Sequence, residues 1–193
     1  MNTKLTVMVA IAATLLLTSA CNQPKESGDG TAGTGTGTQP SAPSVPTVGK
    51  PMSSFEFTNL DGETDSYENY RGKPLLVNFW GTWCSWCKRE IPDMVELRRG
   101  HRDDGLEIIS LAVNDTAEAV KSYVETQEMP WVLGLDSAGL AERWALRGYP
   151  TTYFVSRQGM VTHIQVGAMS REMMEEFTAP LLAEDDDATP TES

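Results

Sequence analysis

Three observations predict an α/β fold built on a mixed central sheet. The segments "KPLLVNFW" (73–80) and "LEIISLAV" (106–113) are nearly continuous apolar runs, the character of strands buried on both faces. Helical periodicity follows each of them, and strand alternating with helix is the pattern that builds parallel pairs. The later stretch "TTYFVSRQGMVTHIQV" (151–166) reads instead as two strands about a turn near Gln158-Gly159, which adds antiparallel pairing and makes the sheet mixed.

Taken in order, the elements begin with "FEFTNLDGETDSY" (55–67), an alternating stretch around Asp61-Gly62 that signals an N-terminal β-hairpin. The first buried strand comes next. After it Ile91, Met94 and Val95 fall on one helical face, and Gly100 marks that helix's end. Beyond the second buried strand, Asp115 with Glu118 has the spacing of a capping box, for a helix whose Val120, Tyr123 and Val124 share a face. "WVLGLD" (131–136) is a short strand, and "SAGLAERWALRG" (137–148) reads as a helix ending at Gly148. The two-stranded segment follows, and "SREMMEEF" (170–177) opens a last helix.

The two ends differ in composition from this domain, which spans 48–182. Lys4 precedes an apolar run from Leu5 to Leu17, with Ser19 and Ala20 just before Cys21, the layout of a secretory signal over 1–20. The run falls short of the roughly 20 apolar residues that span a bilayer. "LTSAC" is similar to the lipobox of bacterial lipoproteins, which implies lipidation of Cys21; Thr18 stands where that motif usually has leucine, so ordinary signal cleavage is the alternative. Residues 21–47 then form a Gly/Thr/Pro-rich tether, too poor in apolar surface to offset its ordering entropy. At the other end, 183–193 ("AEDDDATPTES") is an acidic, solvated tail. The chain of 193 residues carries a net charge of −12, which excludes nucleic acid as a partner.

The chemistry concentrates in "NFWGTWCSWCKREIP" (78–92), where Cys84 and Cys87 stand two residues apart. A structural zinc needs four ligands, usually as two close pairs, whereas this chain adds to the one pair only His101 and His163, far apart in sequence. A structural disulfide is open to it, but stabilisation by a cross-link grows with loop length and this loop is very small. A redox couple needs a stabilised thiolate and a resolving partner. Cys84 falls where a buried strand hands over to a helix, so the unpaired N–H groups and the helix dipole favour a negative sulfur there. Cys84 is therefore expected to attack and Cys87 to resolve.

With "VNFWGTWCSWCKREIP" (77–92) and "RGYPTTYFV" (147–155) together, residues 48–182 resemble the TlpA-like and ResA-like branch of thioredoxin-fold thiol-disulfide oxidoreductases. The resemblance implies a thioredoxin-like fold, with the hairpin as an N-terminal extension, in an extracytoplasmic, membrane-anchored protein. It identifies Pro150 with the family's cis-proline, which with Tyr149 would present backbone to a client chain. Glu90 matches a buried acidic residue that assists proton transfer, and Pro92 a helix-kinking proline. Asn78 stands where thioredoxins proper carry a buried aspartate, which leaves Glu90 as the acid near Cys87. Trp86 replaces the proline that many relatives have before the second cysteine, so the direction of electron flow stays open. Trp83 and Trp86 would flank the sulfur as an apolar docking surface, and Trp80 belongs to the core.

The function expected on this resemblance is reduction of protein disulfides outside the cytoplasm, with clients that include apocytochrome c cysteines. A membrane thiol reductase would be the electron donor, the N-terminal lipid the membrane contact, and the protein a monomer. Neither metal nor organic cofactor is implied. Two alternatives stand beside it. A thiol peroxidase would need a Pro-x-x-x-Thr-x-x-Cys approach to its cysteine, and "WGTW" (80–83) before Cys84 has no such proline. A non-catalytic accessory lipoprotein would use the pair as a fixed disulfide.

Overall fold

The computed structural model describes residues 44–183, so the signal-type segment, Cys21, most of the tether and nearly all of the acidic tail lie outside the described residues. Seven strands form one sheet: β1 (Glu56–Asn59), β2 (Thr64–Ser66), β3 (Leu75–Trp80), β4 (Glu107–Ala112), β5 (Val132–Leu135), β6 (Thr151–Val155) and β7 (Val161–Val166). Their spatial order is β2-β1-β5-β4-β3-β6-β7. β3 and β4 pair in parallel, as do β4 and β5, while β1/β2, β1/β5, β3/β6 and β6/β7 are antiparallel. The sheet is thus the mixed one expected, in the thioredoxin-like arrangement with its added N-terminal hairpin.

Four α-helices among the described residues cover the sheet: α1 (Ser85–Gly100), α2 (Ala117–Val124), α3 (Leu140–Arg143) and α4 (Arg171–Leu182). β3 is central and buried throughout. Its side chains alternate between faces with period two. Leu75, Val77 and Phe79 join the aromatic-rich core with Phe55, Phe57, Tyr67, Trp144 and Tyr153. Leu76 packs on the other face with Met94 and Leu97 of α1 and Met174 and Leu181 of α4, and Trp80 packs with both cysteines. Asn78 therefore points, with Leu76 and Trp80, toward the face that α1 covers.

Two local expectations are corrected. The helix expected to run to Gly148 is only α3, four residues long. Trp144 ends it because its ring is wanted in the core, 5.4 Å from Phe55, 5.3 Å from Phe79 and 5.2 Å from Tyr153. The chain then turns through Ala145, whose φ of 53° breaks helical geometry. The cap of α2 is Thr116, whose hydroxyl accepts from the Ala119 N–H, and not Asp115. Asp115 is used elsewhere.

Candidate active site

Strand β3 delivers the chain to a tight loop, Gly81-Thr82-Trp83, and α1 begins immediately beyond Cys84. The Asp115 carboxylate holds this loop, accepting from the Thr82 N–H at 2.6 Å, the Thr82 hydroxyl at 3.1 Å and the Thr116 N–H at 3.0 Å. The Trp83 indole folds back across Gly81 and donates to the Val113 carbonyl at 2.9 Å. A Cβ at Gly81 would lie 2.5 Å from that indole nitrogen, so only glycine lets the ring lie there. Gly81→Ala is expected to swing the indole off Val113, costing about 1 kcal/mol for the lost hydrogen bond. Urea unfolding measures the cost, and Trp83 emission read against a Trp83→Phe control measures the movement; unchanged emission together with unchanged stability would refute the dependence.

Cys84 is the N-cap of α1, in extended conformation, and its sulfur accepts from the Cys87 N–H at 3.1 Å. The two cysteines form a disulfide with Sγ atoms 2.10 Å apart. Cys84 is 7% exposed and Cys87 1%, so an incoming sulfur meets Cys84 first. On reduction, the same N–H and the start of the helix would stabilise a Cys84 thiolate.

The Tyr149-Pro150 bond is cis, and Pro150 is anchored through its carbonyl, which accepts from the Gly167 N–H at 2.8 Å. Tyr149 packs against the cluster that contains both cysteines and meets Trp83 edge-on, with ring centroids 5.4 Å apart. The structure therefore brings Trp83, the cysteine pair and the Tyr149-Pro150 segment together. Trp83 and Trp86 are 52% and 57% exposed, whereas Trp80 is buried. Trp86 makes its contact outward, under the Arg89 guanidinium, 4.5 Å from the ring centroid.

Glu90 lies three residues beyond Cys87 on the same helix face and is 2% exposed. One carboxylate oxygen accepts from the Met169 N–H at 3.1 Å and the other from the Asn78 amide at 3.4 Å. These bonds favour the charged form, but burial opposes it more strongly, and the pKa is pushed up to about 7. Asn78 itself donates to the Thr152 hydroxyl at 2.9 Å and accepts from Ser110, whose hydroxyl accepts in turn from the Trp131 indole at 2.9 Å. Sequence reasoning placed Glu90 and Asn78 but missed Ser110, Thr152 and Asp115. The signal for Ser110 was available: a lone hydroxyl inside a buried apolar strand has to find a partner.

His101 and His163 are engaged with other side chains. His101 caps α1 and bridges Asp104 and Glu175, while His163 stacks on Phe177. No helix among the described residues is long and apolar enough to cross a membrane.

Comparison with known proteins agrees with this geometry. Residues 48–164 match the AhpC/TSA family. The chain is 31% identical over 131 residues to the thiol-disulfide oxidoreductase ResA of Bacillus thuringiensis subsp. konkukian, covering 67% of this chain and 76% of that one. It is also 31% identical to the thioredoxin-like protein YneN of Bacillus subtilis, over 66% of this chain and 76% of the relative. Among solved structures, a thiol:disulfide interchange protein of the thioredoxin family from Chlorobium tepidum superposes with a TM-score of 0.62 at 28% identity, over 73% of this chain and 97% of that one. Fold, cysteine pair and relatives agree: the chain belongs to the AhpC/TSA family, within which it is a thiol-disulfide oxidoreductase of ResA type.

Proposed function

We propose that this oxidoreductase reduces disulfides of client proteins outside the cytoplasm, held at the membrane by a lipid on Cys21. The observation that carries the reading is the pairing of the more exposed sulfur, at a helix N-terminus, with a buried carboxyl one turn beyond its partner cysteine. In the cycle, the Cys84 thiolate attacks one sulfur of a client disulfide, forming a mixed disulfide and releasing the other client sulfur as a thiolate. The client chain lies along Tyr149 and Pro150, with Trp83 and Trp86 as apolar contacts. Ionised Glu90 then takes the proton of Cys87, whose thiolate attacks Cys84 Sγ. That step closes the Cys84–Cys87 disulfide and frees the client with both sulfurs reduced. A membrane thiol reductase returns two electrons and two protons to restore the dithiol. Apocytochrome c cysteines are clients of suitable chemistry, and the tether of residues 21–47, able to stretch to about 90 Å, gives the domain reach from its anchor.

The reduction potential tests the direction of flow. The chain carrying Cys21→Ser, equilibrated in dithiothreitol or glutathione buffers and followed by tryptophan fluorescence, is expected to give a value near that of thioredoxin, about −270 mV. A value near about −120 mV would mark an oxidant that introduces disulfides, and the reductase reading would fall.

A further inference from the structure

Several basic residues among the described residues are paired with carboxylates. Arg71 pairs with Glu68, Lys73 and Arg98 with Glu107, Arg99 with Glu96 and Glu128, Lys121 with Asp61, and Arg171 with Glu175. Beside the cysteine pair two cations without such a partner stand next to each other. Lys88 and Arg89, the fourth and fifth residues of α1, are exposed and have no acid partner among the described residues. Each is held on an aromatic face instead, Lys88 Nζ 5.9 Å from the Tyr123 centroid and the Arg89 guanidinium 4.5 Å from that of Trp86. A cation–π contact positions a cation and leaves its charge uncompensated. Arg147, two residues before Tyr149, is likewise exposed and without an acid partner among the described residues.

Three carboxylates of the elements that meet here are turned to internal donors. Glu90 is occupied by Met169 and Asn78, Asp115 by Thr82 and Thr116, and Asp136 by the Leu140 and Ala141 N–H groups at 2.6 and 2.8 Å. The placement also opposes local helix preference. A helix N-terminus favours acidic side chains, yet the first turn of α1 has none and two cations follow it. Between these charges the surface is apolar: Trp83, Trp86 and Val166 are each about half exposed, and Val166 lies against the Gly148 end of the Tyr149-Pro150 loop.

We propose that this face selects clients carrying an acidic segment beside their disulfide, with Lys88 and Arg89 as the discriminating charges. The inference rests on the oxidoreductase reading and specifies its substrate class. Trp83, Trp86 and Val166 take the apolar part of the segment around the client disulfide. Carboxylates flanking that disulfide meet the two cations, which steer encounter and fix which way the client chain runs. A basic segment is repelled by the same charges.

The test uses the full chain, reduced beforehand, and three synthetic peptides with one intramolecular Cys-x-x-Cys disulfide, flanked by aspartates, asparagines or lysines. Two electrons pass to each peptide as the Cys84–Cys87 disulfide forms, so stopped-flow tryptophan fluorescence gives the second-order rate. The aspartate peptide is expected to react about tenfold or more faster than the lysine peptide at low salt. At about 1 M salt, where the screening length is about 3 Å, the gap should close. In Lys88→Glu/Arg89→Glu the order of the two peptides should reverse. New acids at a helix N-terminus suit the dipole, so this variant folds, and any change in Cys84 reactivity cancels in the ratio. Equal rates for the aspartate and lysine peptides, or an unreversed order in the variant, overturn the proposal while reduction of the asparagine peptide keeps the oxidoreductase reading. Failure to reduce the asparagine peptide takes both readings down.

Discussion

Cys84→Ser is expected to abolish disulfide exchange, lowering the rate by at least about 10³-fold, equivalent to roughly 4 kcal/mol of barrier. A serine hydroxyl in the same position keeps the cap of α1 but does not ionise near neutral pH, so the attacking anion is lost while the helix start is retained. Cys87 cannot take over, because at 1% exposure it is shielded from a client sulfur by Cys84 and the helix. Cys87→Ser should have the opposite signature. Attack by Cys84 still occurs, resolution does not, and client proteins accumulate in mixed disulfides with Cys84. Non-reducing gels of acid-trapped cells display these adducts, and the double variant Cys84→Ser/Cys87→Ser should show none. If Cys87→Ser forms no adducts, protein clients are excluded; if Cys84→Ser retains exchange, the assignment of the attacking sulfur is wrong.

The fold and the position of the cysteine pair were legible in the sequence for a common reason: both are set by short-range pattern. Continuous apolar runs mark β3 and β4, Asp61-Gly62 marks the first hairpin, and a cysteine at a strand-to-helix junction acquires its setting from the backbone alone. What was not legible depends on residues distant in the chain. Helical periodicity through 137–148 gives no hint that Trp144 is claimed by Phe55, Phe79 and Tyr153, which end α3 after four residues. Asp115 has capping-box spacing to Glu118, yet its carboxylate goes to Thr82, thirty-three positions away, and Thr116 takes the cap. The partners of Glu90 come from β3 and from the backbone before α4. Only the folded chain places them around one carboxyl, and only burial there decides its pKa.

That burial supplies the second large effect. Glu90→Gln should slow resolution of the mixed disulfide by about 10²-fold, the lower end of what a positioned base contributes. It should also remove the rise in rate through about pH 7 that follows ionisation of Glu90. Stability gives an independent readout with a definite sign. The folded state raises the Glu90 pKa from near 4.5 to about 7, so between these values the unfolded chain has released the proton and the folded chain still holds it. Stability contributed by the neutral carboxyl is complete below about pH 4.5, falls as pH rises, and is lost above about pH 7, a change of about 3 kcal/mol. Gln does not titrate, so this component disappears in the variant. Gln can still accept from Met169, but its amide then faces the Asn78 amide donor, and the resulting cost of about 1 kcal/mol does not vary with pH. Urea unfolding of the oxidised protein across pH 4 to 9, wild type against variant, separates the two contributions. The wild type should lose about 3 kcal/mol relative to the variant over that range. Parallel stability curves would show that Glu90 ionises freely in the folded state, and an unchanged pH profile of resolution would remove it from proton transfer.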